Sequence, residues 1–317
     1  MQRYLARRLL LLVPTLLLAS ILIFSIITLS PGDPVRMMLG TQATPEEIAV
    51  ERTRLGLDRP VPVRYAIWLS DVAQLNLGMS QSNRRPVADL IGDALPYTLR
   101  LALTSLAVAL LIGFPLGMLA AVNANRRLDA MITGFNSLGL AMPTFWFGLL
   151  LILLFAVQLK WLPASGVGEP GRPLYERLHY LIMPVATIAF SNMSVFSRYV
   201  RSAMIDVLSA DYVRTARAKG LGEQVVVARH ALRNAMIPVI TIVGIQFGRL
   251  LGGAVVTESV FAYPGIGRLV INSIQNRDYP VVQATLMLVV IIFLITNIVV
   301  DVSYAYLDPR VKLERSR

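Results

Sequence analysis

An all-α membrane protein with six transmembrane helices is the fold class this sequence predicts. Three observations carry the prediction. The 317 residues are 55% hydrophobic and 15% charged, with mean hydropathy +0.61, whereas a soluble domain carries roughly a quarter charged residues. Six apolar runs lie near 9–29, 99–122, 132–158, 180–200, 236–256 and 281–306, and roughly 20 residues suffice to cross a bilayer. Cations gather beside alternate ends of those runs. The net charge of +11 is therefore read as topology. It makes no face on a soluble domain, and nucleic-acid binding is set aside.

The first run follows a positive start, Arg3, Arg7 and Arg8, as a signal peptide does. It is longer than a signal-peptide core, and Ser30-Pro31-Gly32-Asp33-Pro34 follows in place of a small-x-small cleavage site. It is read as an uncleaved first span. The chain then divides into 1–94, a span and an outer helical segment; 95–306, a core of five spans with an inner loop at about 206–235; and 307–317, a tail.

Orientation follows from Lys and Arg near span ends. After Arg3, Arg7 and Arg8 come Arg126 and Arg127; then Arg198, Arg201, Arg214, Arg217, Lys219, Arg229 and Arg233; then Arg310, Lys312, Arg315 and Arg317. All four groups fall on one side, assigned to the cytoplasm, which places both termini inside. Segments 30–98, 159–179 and 257–280 then face out.

The outer segment 30–98 is too long for a bare loop. Thr44-Pro45-Glu46-Glu47 has the form of a capping box, with Thr as N-cap and Glu three residues on. The helix it starts runs to Leu55 and stops at Gly56. A second is expected over Val63–Gln74, and a third, Val87–Ala94, leads into span two. Several spans carry Pro, at Pro14, Pro115, Pro143, Pro184 and Pro238, which membrane helices tolerate.

The 206–235 segment reads as two short helices. The first holds Asp211-Tyr212-Val213-Arg214-Thr215-Ala216-Arg217-Ala218-Lys219-Gly220-Leu221. Tyr212, Val213 and Ala216 share a face at helical spacing, Asp211 is placed as N-cap, and Gly220 as the left-handed residue that ends the helix. The second, about Glu223–Asn234, sets Arg229 and Arg233 four apart. This segment is either a solvated connector or a docking element for a soluble partner. In span five, Gly244, Gly248 and Gly252 recur at spacing four, which lets membrane helices approach closely. The stripe serves packing within the chain or contact with a partner chain along the pathway. Gln246 and Arg249 share that span. An ionisable residue in a membrane faces water or a partner. Arg249 has two candidate partners, a solute carboxylate and a buried acid such as Asp301, and a structural or cavity-lining role is favoured over direct binding. Asn136, Glu258 and Asn297 are weaker candidates of the same kind.

Signs of catalysis are missing from the sequence. There is no Cys, and the two His, His179 and His230, are isolated. No cluster has metal-ligand spacing, and neither a nucleophile elbow, nor His-Glu-x-x-His, nor a phosphate-binding Gly-x-x-x-x-Gly-Lys-Ser/Thr loop occurs. The chain is not expected to be an enzyme. A secondary transporter would show inverted repeats and paired broken helices, which the sequence lacks.

Tyr212-Val213-Arg214-Thr215-Ala216-Arg217-Ala218-Lys219-Gly220, followed by His230-Ala231-Leu232-Arg233-Asn234-Ala235-Met236-Ile237-Pro238, resembles the cytoplasmic loop of ABC importer permeases, more narrowly the peptide/nickel class with its dipeptide, oligopeptide and glutathione permeases. The family's generic Glu-Ala-Ala-x-x-Gly stands here as Thr215-Ala216-Arg217-x-x-Gly220. The resemblance continues through Pro31-Gly32-Asp33-Pro34, Leu55-Gly56-Leu57-Asp58-Arg59-Pro60, Arg85-Pro86-Val87, Leu95-Pro96-Tyr97-Thr98-Leu99, Val260-Phe261-Ala262-Tyr263-Pro264-Gly265-Ile266-Gly267 and Arg277-Asp278-Tyr279-Pro280. Its N-terminal part is similar to the first of the two permease subunits such systems use.

The resemblance implies a type I ABC importer permease fold in a bacterial inner membrane. It implies a coupling helix at Asp211–Leu221, with Tyr212, Val213 and Ala216 packed into a groove of a cytoplasmic ATPase and Arg214, Arg217 and Lys219 at its rim. It implies a second, homologous permease in a heterodimer, two ATPase subunits, a periplasmic or lipid-anchored binding protein, and surrounding lipid. By the same resemblance this chain is expected to bind no cofactor, and ATP and Mg are expected on the partner subunits. The solute the resemblance implies is a peptide or peptide-like compound such as glutathione, with nickel complexes or opine-like solutes as the alternative. Gly220→Pro or Ala216→Arg is expected to uncouple transport without preventing insertion.

Overall fold

The computed structural model describes residues 2–29, 35, 39, 43–54, 56–168, 171 and 173–307. Pro31-Gly32-Asp33-Pro34 and the tail beyond Leu307 lie outside them, as do the side chains of Arg229, His230, Arg233, Gly252 and Asp301. The helices are α1 (Gln2–Leu29), α2 (Pro45–Arg54), α3 (Val61–Ala73), α4 (Val87–Val122), α5 (Arg127–Ala141), α6 (Thr144–Leu151), α7 (Leu174–Leu208), α8 (Asp211–Ala218), α9 (Glu223–Val225), α10 (Leu232–Val260), α11 (Ile266–Gln275) and α12 (Tyr279–Leu307). Two π-helical segments, Ile152–Gln158 and Val226–Ala231, follow α6 and α9. Among the described residues extended pairing is confined to one isolated bridge, Met79 with Pro86.

All six apolar runs fall on helices. Val87–Val122, Tyr175–Leu208 and Tyr279–Val299 are unbroken and apolar enough to cross a membrane. Arg127–Ala141 with Thr144–Gln158, bent by 100°, and Asn234–Leu250 with Ala254–Val260, bent by 48°, qualify only as pairs, and Leu10–Ile26 is a shorter apolar helix. The first bend lies at Met142-Pro143. Pro143 lacks an N–H and disfavours helical backbone in the residue before it, and Met142 is extended at ψ 126.

Contacts divide the chain into two units. The first comprises Met1–Pro96 and Arg268–Leu294. Within it, Phe24 of α1 lies 5.5 Å from the ring of Tyr65 and 5.7 Å from that of Trp68 on α3. Ser20 Oγ lies 2.8 Å from Tyr65 OH, so a span hydroxyl finds its partner on the helix packed over it. The capping box forms as expected. The Thr44 N–H donates to Glu47 Oε2 at 2.8 Å and the Glu47 N–H to Thr44 Oγ1 at 3.3 Å, and Gly56 ends the turn at φ +65. α3 begins two residues before the expected Val63, because Pro60 and Pro62 suit a first turn that needs no N–H donors. The expected third outer helix is not separate: Val87–Val122 is one helix of 36 residues, passing Pro96 and Pro115.

Asp278 is the pin of this unit. Fully buried, its carboxylate accepts hydrogen bonds from Ser80 Oγ (2.5 Å), Ser82 Oγ (2.7 Å), the Gln81 N–H (3.1 Å) and the Ser82 N–H (3.2 Å). Its backbone carbonyl accepts from the Val282 N–H in the first turn of α12 at 3.0 Å. The motif around Asp278 thus closes the 80–86 turn onto the start of α12.

The second unit comprises Tyr97–Gly267 and Ile295–Arg317. α7 is its axis. At 35 residues it is about 50 Å long, well beyond the roughly 30 Å of a hydrocarbon core. α4 approaches it through Gly113 and Gly117. A Cβ at Gly113 would meet the Met193 backbone at 2.7 Å, and one at Gly117 the Ser197 carbonyl at 2.5 Å. α5 approaches through Gly139, where a Cβ would collide with Ser194. Small residues four apart allow this proximity. Phe147 of α6 stacks on Phe190 at 4.5 Å.

Polar bonds reinforce the axis. Asp129 on α5 takes a two-point grip from Arg201 on α7, Nε to Oδ1 at 2.6 Å and Nη2 to Oδ2 at 2.7 Å, and Asn136 Nδ2 donates to Ser197 Oγ at 2.8 Å. Arg201, read from sequence as a topological charge, is half of a fixed ion pair. In the same unit Thr98 Oγ1 donates to the buried Glu258 at 2.7 Å and accepts the Ile266 N–H at 2.8 Å. A Cβ at Gly265 would strike that carboxylate, and one at Gly267 the Val255 backbone, so the Tyr263-Pro264-Gly265-Ile266-Gly267 segment needs its glycines for close approach.

Burial pushes the Asp278 carboxyl up, but the four hydrogen bonds from Ser80, Ser82 and the two amides together hold it below the usual carboxylate range. A depressed folded-state value means stability that is fully present above the unfolded pKa of about 4. It is lost as pH falls through the folded value. Asp278→Asn is expected to cost about 2 kcal/mol and to expose the Gln81 and Ser82 amides to hydrogen exchange. Unchanged exchange and an unchanged thermal midpoint would contradict the pin.

Candidate functional site

The residues from Val207 to Asn234 form a hairpin built on the end of α7. α8 is short, eight residues, and would not persist alone. It is held by burial of one stripe: Val213 and Ala216 pack with Val226, Val207 and Leu208. Tyr212, Arg214, Thr215, Ala218 and Lys219 are exposed.

Each end of α8 has an identifiable cause. Asp211, expected as N-cap, is instead the first helical residue; Ala210 is the cap, extended and without a side-chain bond. Placed at the positive end of the helix dipole, Asp211 lies 3.5 Å from Arg214, and its carbonyl accepts from Thr215 Oγ1 at 2.9 Å. Thr215, the departure from the family's Glu, thus turns its hydroxyl back onto its own helix. At the other end Gly220 has φ +81. Its N–H donates to the Arg217 carbonyl at 2.9 Å and the Leu221 N–H to the Ala216 carbonyl at 3.4 Å, the crossed pair of bonds that satisfies a helix C-terminus.

Arg217 closes the hairpin. Its Nη2 and Nε bind Glu223 Oε1 and Oε2 at 2.6 and 3.0 Å. The Arg217 hydrogen bonds hold the Glu223 carboxyl below the usual range. Both side chains are well exposed, so the pair contributes under about 1 kcal/mol; its value is geometric. Tyr212 adds a second tie, its hydroxyl accepting from Asn234 Nδ2 at 2.8 Å.

Three further expectations are corrected. Val213 and Ala216 are packed against their own chain and leave only Tyr212 of the apolar trio for a partner. Arg217 is engaged by Glu223. The second short helix is no separate element: from Glu223 the chain continues through the π-helical segment into α10, because after Gly222 no glycine or proline interrupts it before Pro238. The stripe signal was legible in the 3–4 spacing. Which side of it faced the chain was not, since that depends on Val207, Leu208 and Val226.

In α10, Gly248 is buried and Gly244 half-buried; Gly252 falls outside the described side chains. Gln246 Nε2 donates to Asn192 Oδ1 on α7 at 3.0 Å, and exposed Arg249 reaches Gln246 Oε1 at 3.4 Å. The Asp301 pairing lies outside the described residues. Sequence reading missed Asn192, Asp129, and Gly113 and Gly117; the Gly-x-x-x-Gly spacing in span two was the available signal for the last two. His179 Nδ1 lies 2.8 Å from the Tyr175 carbonyl.

Comparison with known proteins agrees with this architecture. The family described as binding-protein-dependent transport system inner membrane component matches residues 113–313, and its N-terminal companion, the binding-protein-dependent transport system membrane component, matches residues 1–102. The chain belongs to this family and is a permease subunit of an ABC importer. It is 43% identical to the glutathione transport system permease protein GsiC of Escherichia coli O6:H1, over 98% of this chain and 99% of that protein. The same protein from Salmonella typhimurium matches at 43% and that from Escherichia coli K12 at 42%, with the same coverage. Among solved structures, the methionine ABC transporter MetNI in an inward-facing conformation matches with TM-score 0.60, 18% identity and coverage of 70% of this chain and 98% of that one. An amino acid ABC transporter matches with TM-score 0.54, 14% identity and coverage of 69% and 94%. These two likenesses bear on the fold.

Since nothing lies within 4 Å of a Cβ at Gly220, Gly220→Ala is expected to cost only its left-handed backbone, about 1 kcal/mol. Gly220→Pro removes the donor to Arg217 and forbids positive φ. Limited proteolysis of 217–223 should leave the first variant near wild type and cut the second rapidly. Equal resistance would contradict the termination.

Proposed function

We propose that this chain carries peptide-like solutes of the glutathione class across the bacterial inner membrane as one half of a permease heterodimer, with both termini in the cytoplasm. A periplasmic or lipid-anchored binding protein supplies the solute. Two cytoplasmic ATPase subunits bind ATP and Mg, and this chain does no chemistry of its own. The near-full-length similarity to glutathione permeases supports the solute class.

The observation that carries the mechanism is the two-faced α8. Its apolar stripe grips its own chain, and Tyr212, Arg214, Thr215, Ala218 and Lys219 are left for an ATPase groove with acidic rim groups. Charges at such a rim set register and encounter. Closure of the ATPase pair displaces α8 as a rigid body. The ties to Glu223 and Asn234 pass that displacement to α10.

Ala216→Arg now tests the hairpin's own packing, not docking. The docking test is Arg214→Glu with Lys219→Glu. Membrane abundance should stay at wild-type level, while ATPase co-purification and uptake of glutathione fall by about tenfold or more. Undiminished co-purification would refute docking through this face.

A further inference from the structure

The buried stripe of α10 includes Ala235, Val239, Leu250 and Ala254. Ile245, Arg249 and Val256, at spacings of four and seven, are exposed on this chain. One cation therefore sits between two apolar residues within an apolar run. It lies about 20 Å along the helix from Met236 and about 10 Å from Val256. A guanidinium at that depth does not face lipid; it faces a water-filled passage or a bound group.

Among the described residues no acidic side chain pairs with Arg249. Among the described residues the polar partner of Arg249 is Gln246. Gln246 is anchored to Asn192 Oδ1 at 3.0 Å, and Asn192 Nδ2 to the Ile188 carbonyl of α7 at 2.9 Å. A polar line thus runs from the backbone of the axis helix to the guanidinium, where among the described residues it engages one of the five donors.

We propose that Arg249 is a pathway residue that takes the carboxylate of a peptide-like anion, with Ile245 and Val256 against the solute's apolar part. The fork geometry matches a carboxylate. The single tether to Gln246 biases the side chain without neutralising it, so the anion can be held and released. The proposal rests on the solute class proposed above.

The test is uptake by the assembled importer in proteoliposomes, with glutathione as anionic probe and C-terminally amidated trilysine, which has no carboxylate, as cationic probe. Arg249→Gln should lower the glutathione-to-trilysine uptake ratio about tenfold, as loss of a charge-assisted bond does. Arg249→Lys should restore part of it, since the charge returns without the fork. An unchanged ratio in Arg249→Gln overturns the proposal and leaves the proposed function standing. Loss of heterodimer assembly in Arg249→Gln, or an equal ratio change in Asp301→Asn with no further change in the double variant, also overturns it, by making Arg249 a structural contact. A wild-type importer that takes up neither probe removes the solute class and this inference together.

Discussion

Burial of Val213 and Ala216 against Val207, Leu208 and Val226 decides how the hairpin can work. An eight-residue helix has no stability of its own, so its position is set by whatever its apolar stripe touches. That stripe touches the end of α7 and the start of the helix leading into α10. α8 is therefore a fixed projection of two long helices and not a loop that orders on contact. Its polar face follows as the only surface it can offer. The Arg217–Glu223 and Tyr212–Asn234 bonds contribute little energy at such exposure, but they remove the freedom of α8 to roll about its stripe.

The same economy governs the few charges inside the chain. Asp278, Glu258 and Asp129 are buried. Each collects hydrogen bonds from a segment distant in sequence: Asp278 the 80–82 turn, Glu258 the start of span two, Asp129 the α7 arginine. A buried carboxylate left unpaired is costly, so each clamp has a strong preference for one arrangement. Glycines at 113, 117, 139, 265 and 267 do the complementary work, permitting backbones to approach where a Cβ would collide.

Much of this was legible in the sequence. Apolar runs, the capping box at Thr44, the stop at Gly56 and the end of α8 at Gly220 are local signals, and each has its local cause in the structure. Failures came where the answer depends on distant residues. The inward direction of Val213 and Ala216 depends on Val226. The continuity of 223–237 into α10 depends on no glycine or proline being present there, which a reading for short loops discounts. Arg201 and Asp129 lie 72 residues apart, so one reads from sequence as a topological charge and the other is passed over. Asp278 sits in a motif recognised by resemblance and Glu258 is legible only as an ionisable residue in an apolar setting, yet the clamping role of each needs the fold.

The absence of cysteine from the chain permits a direct measurement of the central claim, that the polar face of α8 is the ATPase contact. Ala218→Cys places a single thiol on that face. Alkylation by a maleimide should be rapid in the permease pair alone and strongly slowed once the ATPase subunits are bound. Equal labelling in both states would contradict the account.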